Sequence, residues 1–339
     1  MKVLILFNGL LDRNYRIIKI IKYVEGVHDL KVFSRDNTRS LIPKIGVPLK
    51  MFLKALKYKP DIVYCSNLPM LPIGVLAKIF CGSKIIYDSR EYFIFSRGVQ
   101  ERWDRRVFYS LLEFSLMFFV DKVVTVNDFI ARELMERYSL DSVEVLYNYP
   151  LRQTLPVKKS SGIVRLVYCG NLSGGRMILG LLDVLEALPD NFVLTIIGGG
   201  PLEGELKRQT ACRGLDDRVS FTGRVHPLHT HSILARQDIG LCFIENVCRS
   251  YYLSSPSKLF EYIGAGLPVV CTNIPFMDGF VKDYGVGLTV NNDSIEDVAG
   301  AVLQVAREYN GFKGMVDCVR ERFSWEVQED LLYVLFNSI

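Results

Sequence analysis

Lys258 and Glu261 stand three residues apart in the stretch SSPSKLFEYIGAG, residues 254–266. That spacing puts both on one face of a helix. Ser255 and Pro256 predict its start, Ser255 as a hydroxyl cap for the first free amides and Pro256 in the first helical position. A helix N-terminus, a cation and a carboxylate on one surface suit a diphosphate and a sugar hydroxyl together. An ordinary capped helix with a surface ion pair has the same spacing. Gly264 and Gly266 break the helix, and LPVVCT, 267–272, reads as a short buried strand.

Other polar residues fall at the ends of apolar runs. YCGNLSGGR, 168–176, follows a strand and precedes a helix, so the amides around Gly170 and Asn171 and the guanidinium of Arg176 suit phosphate. IGGGP, 197–201, with Gly199, Gly200 and Pro201, leaves room for a flat ligand. Arg224, in FTGRV, is either a contact of that ligand or a solvated loop charge. In the first half, Asn8-Gly9 follows the first strand, and YDSREY, 87–92, carries Arg90 and Glu91. An arginine cannot act as a general base, but it can hold a phosphate or a developing negative charge. The alternative is a structural pair between Arg90 and Glu91. His226, His229 and His231 fit no common zinc spacing and read as a polar loop.

The stretch around Lys258 resembles the donor signature of glycosyltransferase family four, the group 1 enzymes of GT-B fold with retaining chemistry. The signature P-x-K-x-x-E-Y-x-x-x-G-x-P-V is met by Pro256, Lys258, Glu261, Tyr262, Gly266, Pro268 and Val269. The resemblance implies that Lys258 contacts the donor diphosphate and Glu261 the ribose hydroxyls. It extends to Arg176 on the diphosphate and to Gly170, Asn171, Gly199, Gly200, Pro201, Arg224, Ser255, Ser257 and Leu259 around the nucleotide sugar. Asn8 and Gly9 match the turn near the acceptor. Three positions depart from the pattern. Leu253 stands where a first glutamate is usual, Arg90 where a histidine is usual, and Asn171 where a second basic residue is common. The stretch around Leu253 is similar to a branch common in bacterial polysaccharide assembly.

These residues need a scaffold, and the chain supplies one. Its 339 residues, 49% hydrophobic and 23% charged, can bury two cores. Twelve strand-like runs alternate with amphipathic helical patterns, six in each half, which predicts two doubly wound parallel sheets. Residues 148–162, with two prolines and no periodicity, read as a linker. The resemblance then implies an acceptor domain over 1–150, a nucleotide-sugar domain over 151–322, and a helix over 323–339 that crosses back to the first domain. The architecture is α/β, two Rossmann-like domains facing a cleft. The eight scattered cysteines form no CxxC pair and fit free thiols in a reducing cytoplasm.

Charge is uneven. Residues 1–150 hold 23 Lys+Arg against 16 Asp+Glu, and residues 151–339 hold 18 against 21. A basic first half suggests an anionic partner, a membrane surface or lipid-linked phosphate rather than nucleic acid. Lys44–Lys59, with five lysines among apolar residues, reads as a basic amphipathic helix. The Val107–Val120 run is too short to span a membrane and reads as largely buried.

The resulting expectation is a cytoplasmic, peripherally bound retaining transferase. It would move a sugar from a UDP- or GDP-sugar to a glycan or lipid-linked saccharide in cell-surface polysaccharide synthesis, with no metal or other cofactor. A nucleotide-sugar epimerase of the same fold, or a non-catalytic subunit of that fold, are the alternatives.

Overall fold

A computed structural model of the protein describes residues 1–11, 14–35, 46–155, 162–291 and 293–339. The chain forms two compact units. The first holds Met1–Tyr147, Cys248–Ser250 and Gln328–Ile339, and the second holds Asn148–Val247 and Tyr251–Val327. The division thus comes at 147/148 rather than 150/151, and the terminal piece of the first unit starts at Gln328 rather than at 323. Residues 156–161 of the expected linker, and Lys44 and Ile45 of the basic helix, lie outside the described residues.

In the first unit the order is β1 (Lys2–Asn8), α1 (Tyr15–Glu25), β2 (Asp29–Arg35), α2 (Gly46–Tyr58), β3 (Ile62–Ser66), α3 (Leu71–Cys81), β4 (Lys84–Ser89), α4 (Arg97–Gln100), α5 (Trp103–Met117), β5 (Lys122–Thr125), α6 (Asp128–Tyr138) and β6 (Glu144–Val145). The sheet order is β2-β1-β3-β4-β5-β6, and every pairing is parallel. β1 reads KVLILFN, with its five apolar residues all buried. An unbroken apolar run is what a parallel strand covered on both faces requires.

The second unit repeats the plan with β7 (Val164–Cys169), α7 (Gly180–Glu186), β8 (Phe192–Ile197), α8 (Glu203–Cys212), β9 (Val219–Gly223), α9 (Pro227–Leu234), β10 (Ile239–Cys242), α11 (Ser257–Gly264), β11 (Val269–Thr272), α12 (Pro275–Tyr284), β12 (Gly287–Val290), α13 (Ile295–Arg307) and α14 (Tyr309–Val319), while the short α10 (Arg249–Tyr252) is divided between the two units. Its sheet order is β12-β11-β10-β7-β8-β9. Leu166, Ile196, Leu241 and Val270 of its strands share one core with Leu182 of α7 and Val302 of α13.

α15 (Glu329–Asn337) belongs to the first unit. The expected helix from Phe323 is broken, because two 3₁₀ turns, Arg320–Phe323 and Trp325–Gln328, precede α15. Gln328 is tied at both ends of its amide to Tyr147: the Tyr147 amide donates to Oε1 (2.7 Å), and Nε2 donates to the Tyr147 carbonyl (3.1 Å). Phe336 of α15 stacks on Tyr64 of β3, ring centres 6.0 Å apart.

Two further expectations are overturned. His229 and His231 lie on a helix, α9, rather than a loop, and His226 just precedes it, its carbonyl accepting from the His229 amide. The Val107–Val120 run is turned outward. Only Glu113 and Met117 of α5 are buried, while Phe108, Leu111 and Phe114 are exposed and Phe118 is 78% exposed. Two tyrosines make this inversion possible: Tyr87 and Tyr138 donate hydroxyl protons to the two oxygens of Glu113, at 2.6 and 2.7 Å. A buried carboxyl so bonded avoids an unpaired polar group.

Candidate functional site

The donor-type residues converge at the carboxyl ends of β7, β8 and β10. Lys258 lies in the first turn of α11 and is buried. Its Nζ donates to the Phe243 carbonyl (3.1 Å) and stands 4.4 Å from the centre of the Tyr168 ring. It is therefore not half of a surface ion pair. Burial pushes its pKa below the usual lysine range, and the nearby Arg176 charge acts in the same direction. A desolvated ammonium held on an aromatic face is a strong attractor of phosphate.

The helix start differs from expectation. α11 begins at Ser257, Pro256 occupies the cap position with an extended backbone (φ −66°, ψ 131°), and no side chain caps the helix. Ser255 is buried just before it. Proline at the cap has no N–H to satisfy, and its ring pre-sets the entry of the chain. Leu259 is fully buried and its amide donates to the Pro256 carbonyl, 3.0 Å, at the helix start. Ser257 is exposed beside Lys258.

Gly170, Asn171 and Arg176 lie on the loop after β7. The Tyr168 hydroxyl donates to the Asn171 carbonyl, 3.2 Å. Arg176 lies 5.6 Å from the Tyr251 ring, and its Nε is buried with no hydrogen-bond partner. Glu261 stands one turn along from Lys258, its Oε2 3.9 Å from Cys169 Sγ. Tyr262 secures that strand end, accepting from the Cys169 amide (2.7 Å) and donating to the Leu241 carbonyl (3.2 Å). Gly240 is what lets Tyr262 in, since a Cβ there would lie 2.4 Å from its ring.

The triple glycine also has a packing reason. A Cβ on Gly198 would lie 1.8 Å from the Gly170 carbonyl oxygen, and one on Gly200 2.4 Å from that of Leu172. The loops after β7 and β8 are thus packed backbone to backbone, and hydrogen bonds join Gly170 to Ile197 and Leu172 to Gly199. Gly199 packs against the Arg224 side chain, which is otherwise exposed, and Pro201 is exposed beyond it.

One residue of this cluster was missed. Glu245 follows β10, and its Oε1 accepts from the Met177 amide at 2.7 Å while its own amide donates to the Gly175 carbonyl at 3.0 Å. It fixes the loop that carries Arg176, where Gly175 and Met177 both have positive φ (84° and 52°). A carboxylate directly after a parallel strand was the signal available.

The first unit gathers a second set at the ends of β1, β3 and β4. Asn8 and Gly9 follow β1, and Gly9 has φ +117° with open space where a Cβ would be. Arg90 and Glu91 follow β4. The Arg90 amide lies between the Asp88 carbonyl (3.1 Å) and Asn67 Oδ1 (3.3 Å). Arg90 and Glu91 form no ion pair, so the structural-pair alternative falls. Burial pushes the Glu91 carboxyl up, with Arg90 opposing. Among the described residues no group of His, Cys, Asp and Glu is arranged to hold a metal ion.

Residues 164–308 match the family described as "Glycosyl transferases group 1". The chitobiosyldiphosphodolichol beta-mannosyltransferase of Kluyveromyces lactis is 23% identical over 264 residues, 66% of this chain and 58% of that protein. The alpha-monoglucosyldiacylglycerol synthase of Streptococcus pneumoniae is 24% identical over 180 residues, 51% of this chain and 38% of that protein. The chain thus spans well under two thirds of these relatives. Anabaena HepE, solved in complex with UDP-glucose, superposes with a TM-score of 0.73 at 16% identity over 100% of both chains. That likeness shows the shared fold, two Rossmann-like units of GT-B type. Residues 164–308 of this chain are thus similar to the glycosyl transferases group 1 family.

Proposed function

We propose that the protein transfers a sugar from a nucleoside diphosphate sugar, UDP-linked first and GDP-linked second, to a glycan or lipid-linked saccharide. The observation that carries this reading is the pairing of Lys258, buried on the Tyr168 ring, with Arg176, whose Nε has no partner. Departure of the sugar leaves an oxocarbenium-like centre and a diphosphate that gains charge. Lys258, Arg176 and the first amides of α11, which lack partners within the helix, stabilise that charge. Glu261 takes the ribose hydroxyls. Two cations do the work a metal would otherwise do, so turnover in EDTA is expected.

Retention of configuration is part of the proposal. In such a transfer the leaving phosphate takes the acceptor proton, and Arg90, which cannot serve as a base, is no obstacle. The named relatives include both a beta-transferase and an alpha-synthase, so the anomer of the product decides this point.

The work is proposed to take place at the inner face of a membrane, in the assembly of a cell-surface polysaccharide. Support comes from α5, whose outward stripe of Val107, Phe108, Leu111, Phe114 and Phe118 follows Arg102, Arg105 and Arg106. Leu76, Ile79 and Phe80 of the neighbouring α3 are exposed as well. An apolar helix face beside cations binds an anionic lipid surface without crossing it. Among the described residues no helix is long and apolar enough to cross a membrane.

The test is release of free nucleotide from a panel of UDP-, GDP-, CMP- and dTDP-sugars, with thermal stabilisation measured in parallel. Saturating donor at a hundred times its dissociation constant should add about 2.7 kcal/mol. Release and stabilisation by one nucleotide class support the reading, and neither from any class would overturn it.

A further inference from the structure

Arg90 is a half-buried cation that forms no ion pair of its own. Asp88, two residues before it, is already saturated: Oδ1 accepts from Arg16 Nη2 (2.8 Å), and Oδ2 accepts from Arg16 Nε (2.9 Å) and the Tyr64 hydroxyl (2.5 Å). Glu91, the other nearby carboxyl, is beyond ion-pair reach of the guanidinium and is itself pushed toward its neutral form by burial. Arg90 is left with one contact at the limit of hydrogen bonding, Nη1 to Ser66 Oγ at 3.5 Å, and its Nε is buried without a partner.

An arginine side chain has five donor protons in a rigid fork and stays charged. Leaving the buried Nε proton idle is costly, and the nearby Arg16 charge adds to the cost. The backbone around it is also held in a special shape, with Asn67 at φ 69° directly after β3. In a parallel sheet ligands bind outside the carboxyl ends of the strands, which is where Arg90 sits.

We infer that Arg90 recognises an anionic group, a carboxylate or phosphate, carried by one of the protein's two sugar substrates. This deepens the transferase reading and rests on it. A guanidinium grips such a group through two parallel N–H···O bonds, which a neutral sugar cannot return. The anion has two possible sources, the transferred sugar as a uronate or the acceptor as a uronate or phosphate.

The experiment uses the full chain and two arms. In the donor arm, nucleotide release is compared for UDP-glucuronate and UDP-glucose, or the corresponding pair on whichever nucleotide the panel selects. In the acceptor arm, octyl glucuronide is compared with octyl glucoside, and glucose 1-phosphate with glucose. In one arm the anionic probe should exceed its neutral counterpart by at least tenfold in kcat/KM. Arg90→Gln should bring that ratio near one, and Arg90→Lys should keep part of it. Ratios within twofold in both arms, or an unchanged ratio in Arg90→Gln, would overturn the inference. If Arg90→Gln does not fold, as judged by its circular dichroism and melting temperature, Arg90→His at pH 8 takes its place. If no nucleotide is released from any donor, the transferase reading fails. Calorimetric titration with glucose 1-phosphate and glucuronate then decides Arg90 separately, binding lost in the variant supporting its role and no binding to wild type refuting it.

Discussion

Arg16 and Asp88 meet in a two-pronged pair, Nη2 to Oδ1 at 2.8 Å and Nε to Oδ2 at 2.9 Å, with neither side chain more than 2% exposed. Arg16 Nη1 also donates to the Leu146 carbonyl, and Tyr64 donates to the same carboxylate. One ion pair thereby joins α1, β3, β4 and the chain after β6. Removing one partner strands a buried charge, so Arg16→Met or Asp88→Leu alone should lower stability by about 3–5 kcal/mol. The double variant should lose clearly less. Urea unfolding followed by tryptophan emission checks this, and single-variant losses under about 1 kcal/mol would contradict it.

Lys258→Ala should slow turnover by roughly ten- to a hundredfold, the worth of one charge-assisted contact at the developing diphosphate. An unchanged rate in the nucleotide-release assay would remove Lys258 from the chemistry.

The protonation state of Lys258 sets a pH dependence. Its folded pKa lies below the usual 10.5, chiefly through burial. The charged form is the active one, so kcat/KM should fall as pH rises, beginning on the acid side of 10.5. In Lys258→Arg that limb should disappear, because a guanidinium keeps its proton. The same shift has the opposite sign for stability. A depressed lysine pKa means the folded chain holds its proton less tightly than the unfolded one, so charged Lys258 destabilises the fold at neutral pH. Lys258→Met should therefore raise the melting temperature while lowering activity, and a lowered melting temperature would count against this account.

Glu245 should act through the loop it fixes. Glu245→Ala leaves the Met177 amide without its acceptor and should raise the KM for the donor by about tenfold. Glu245→Gln, which keeps an acceptor oxygen, should recover most of it. Equal defects in the two variants would point to the charge instead.

Gly198→Ala should cost about 3 kcal/mol, since its Cβ would overlap the Gly170 carbonyl and no flexible side chain can yield there. Gly9→Ala, with open space but φ +117°, should lose only the backbone strain of about 1 kcal/mol. The order of the two melting temperatures is the test.

Leu111→Glu with Phe114→Glu should reduce co-sedimentation with phosphatidylglycerol vesicles at least tenfold while leaving the melting temperature in place. Both residues are exposed, 66% and 52%, so folding does not need them. Equal sedimentation would sink the membrane face.

Much of this was legible because the strands announce themselves. VLILF and LVYC can only be buried strands, and each of the twelve strand-like runs is a strand, with no end displaced by more than two residues. Lys258 was legible because Pro, Lys and Glu stand at helix-start spacing before two glycines. What was not legible depends on partners distant in sequence. Nothing near Glu113 reveals that Tyr87 and Tyr138 come to it, and without them α5 would have to bury its phenylalanines. The triple glycine shows tight packing in sequence but not that the neighbour is the chain's own backbone at Gly170. Arg90 reads as one charge among many until Asp88 is seen to be engaged by Arg16 and Tyr64.

The first unit is sewn shut by a piece of chain made long after the rest of it. Phe336 on Tyr64, Gln328 on Tyr147, and Lys122 Nζ on the Val334 carbonyl (3.1 Å) are all supplied by residues 328–339. During synthesis the second unit can be complete while the first still waits for its last helix. A ribosome stalled after residue 327 would carry one finished unit and one with Tyr64 and Tyr147 uncovered. Completion of the first unit therefore waits for the last stretch to be translated, although most of that unit is made first.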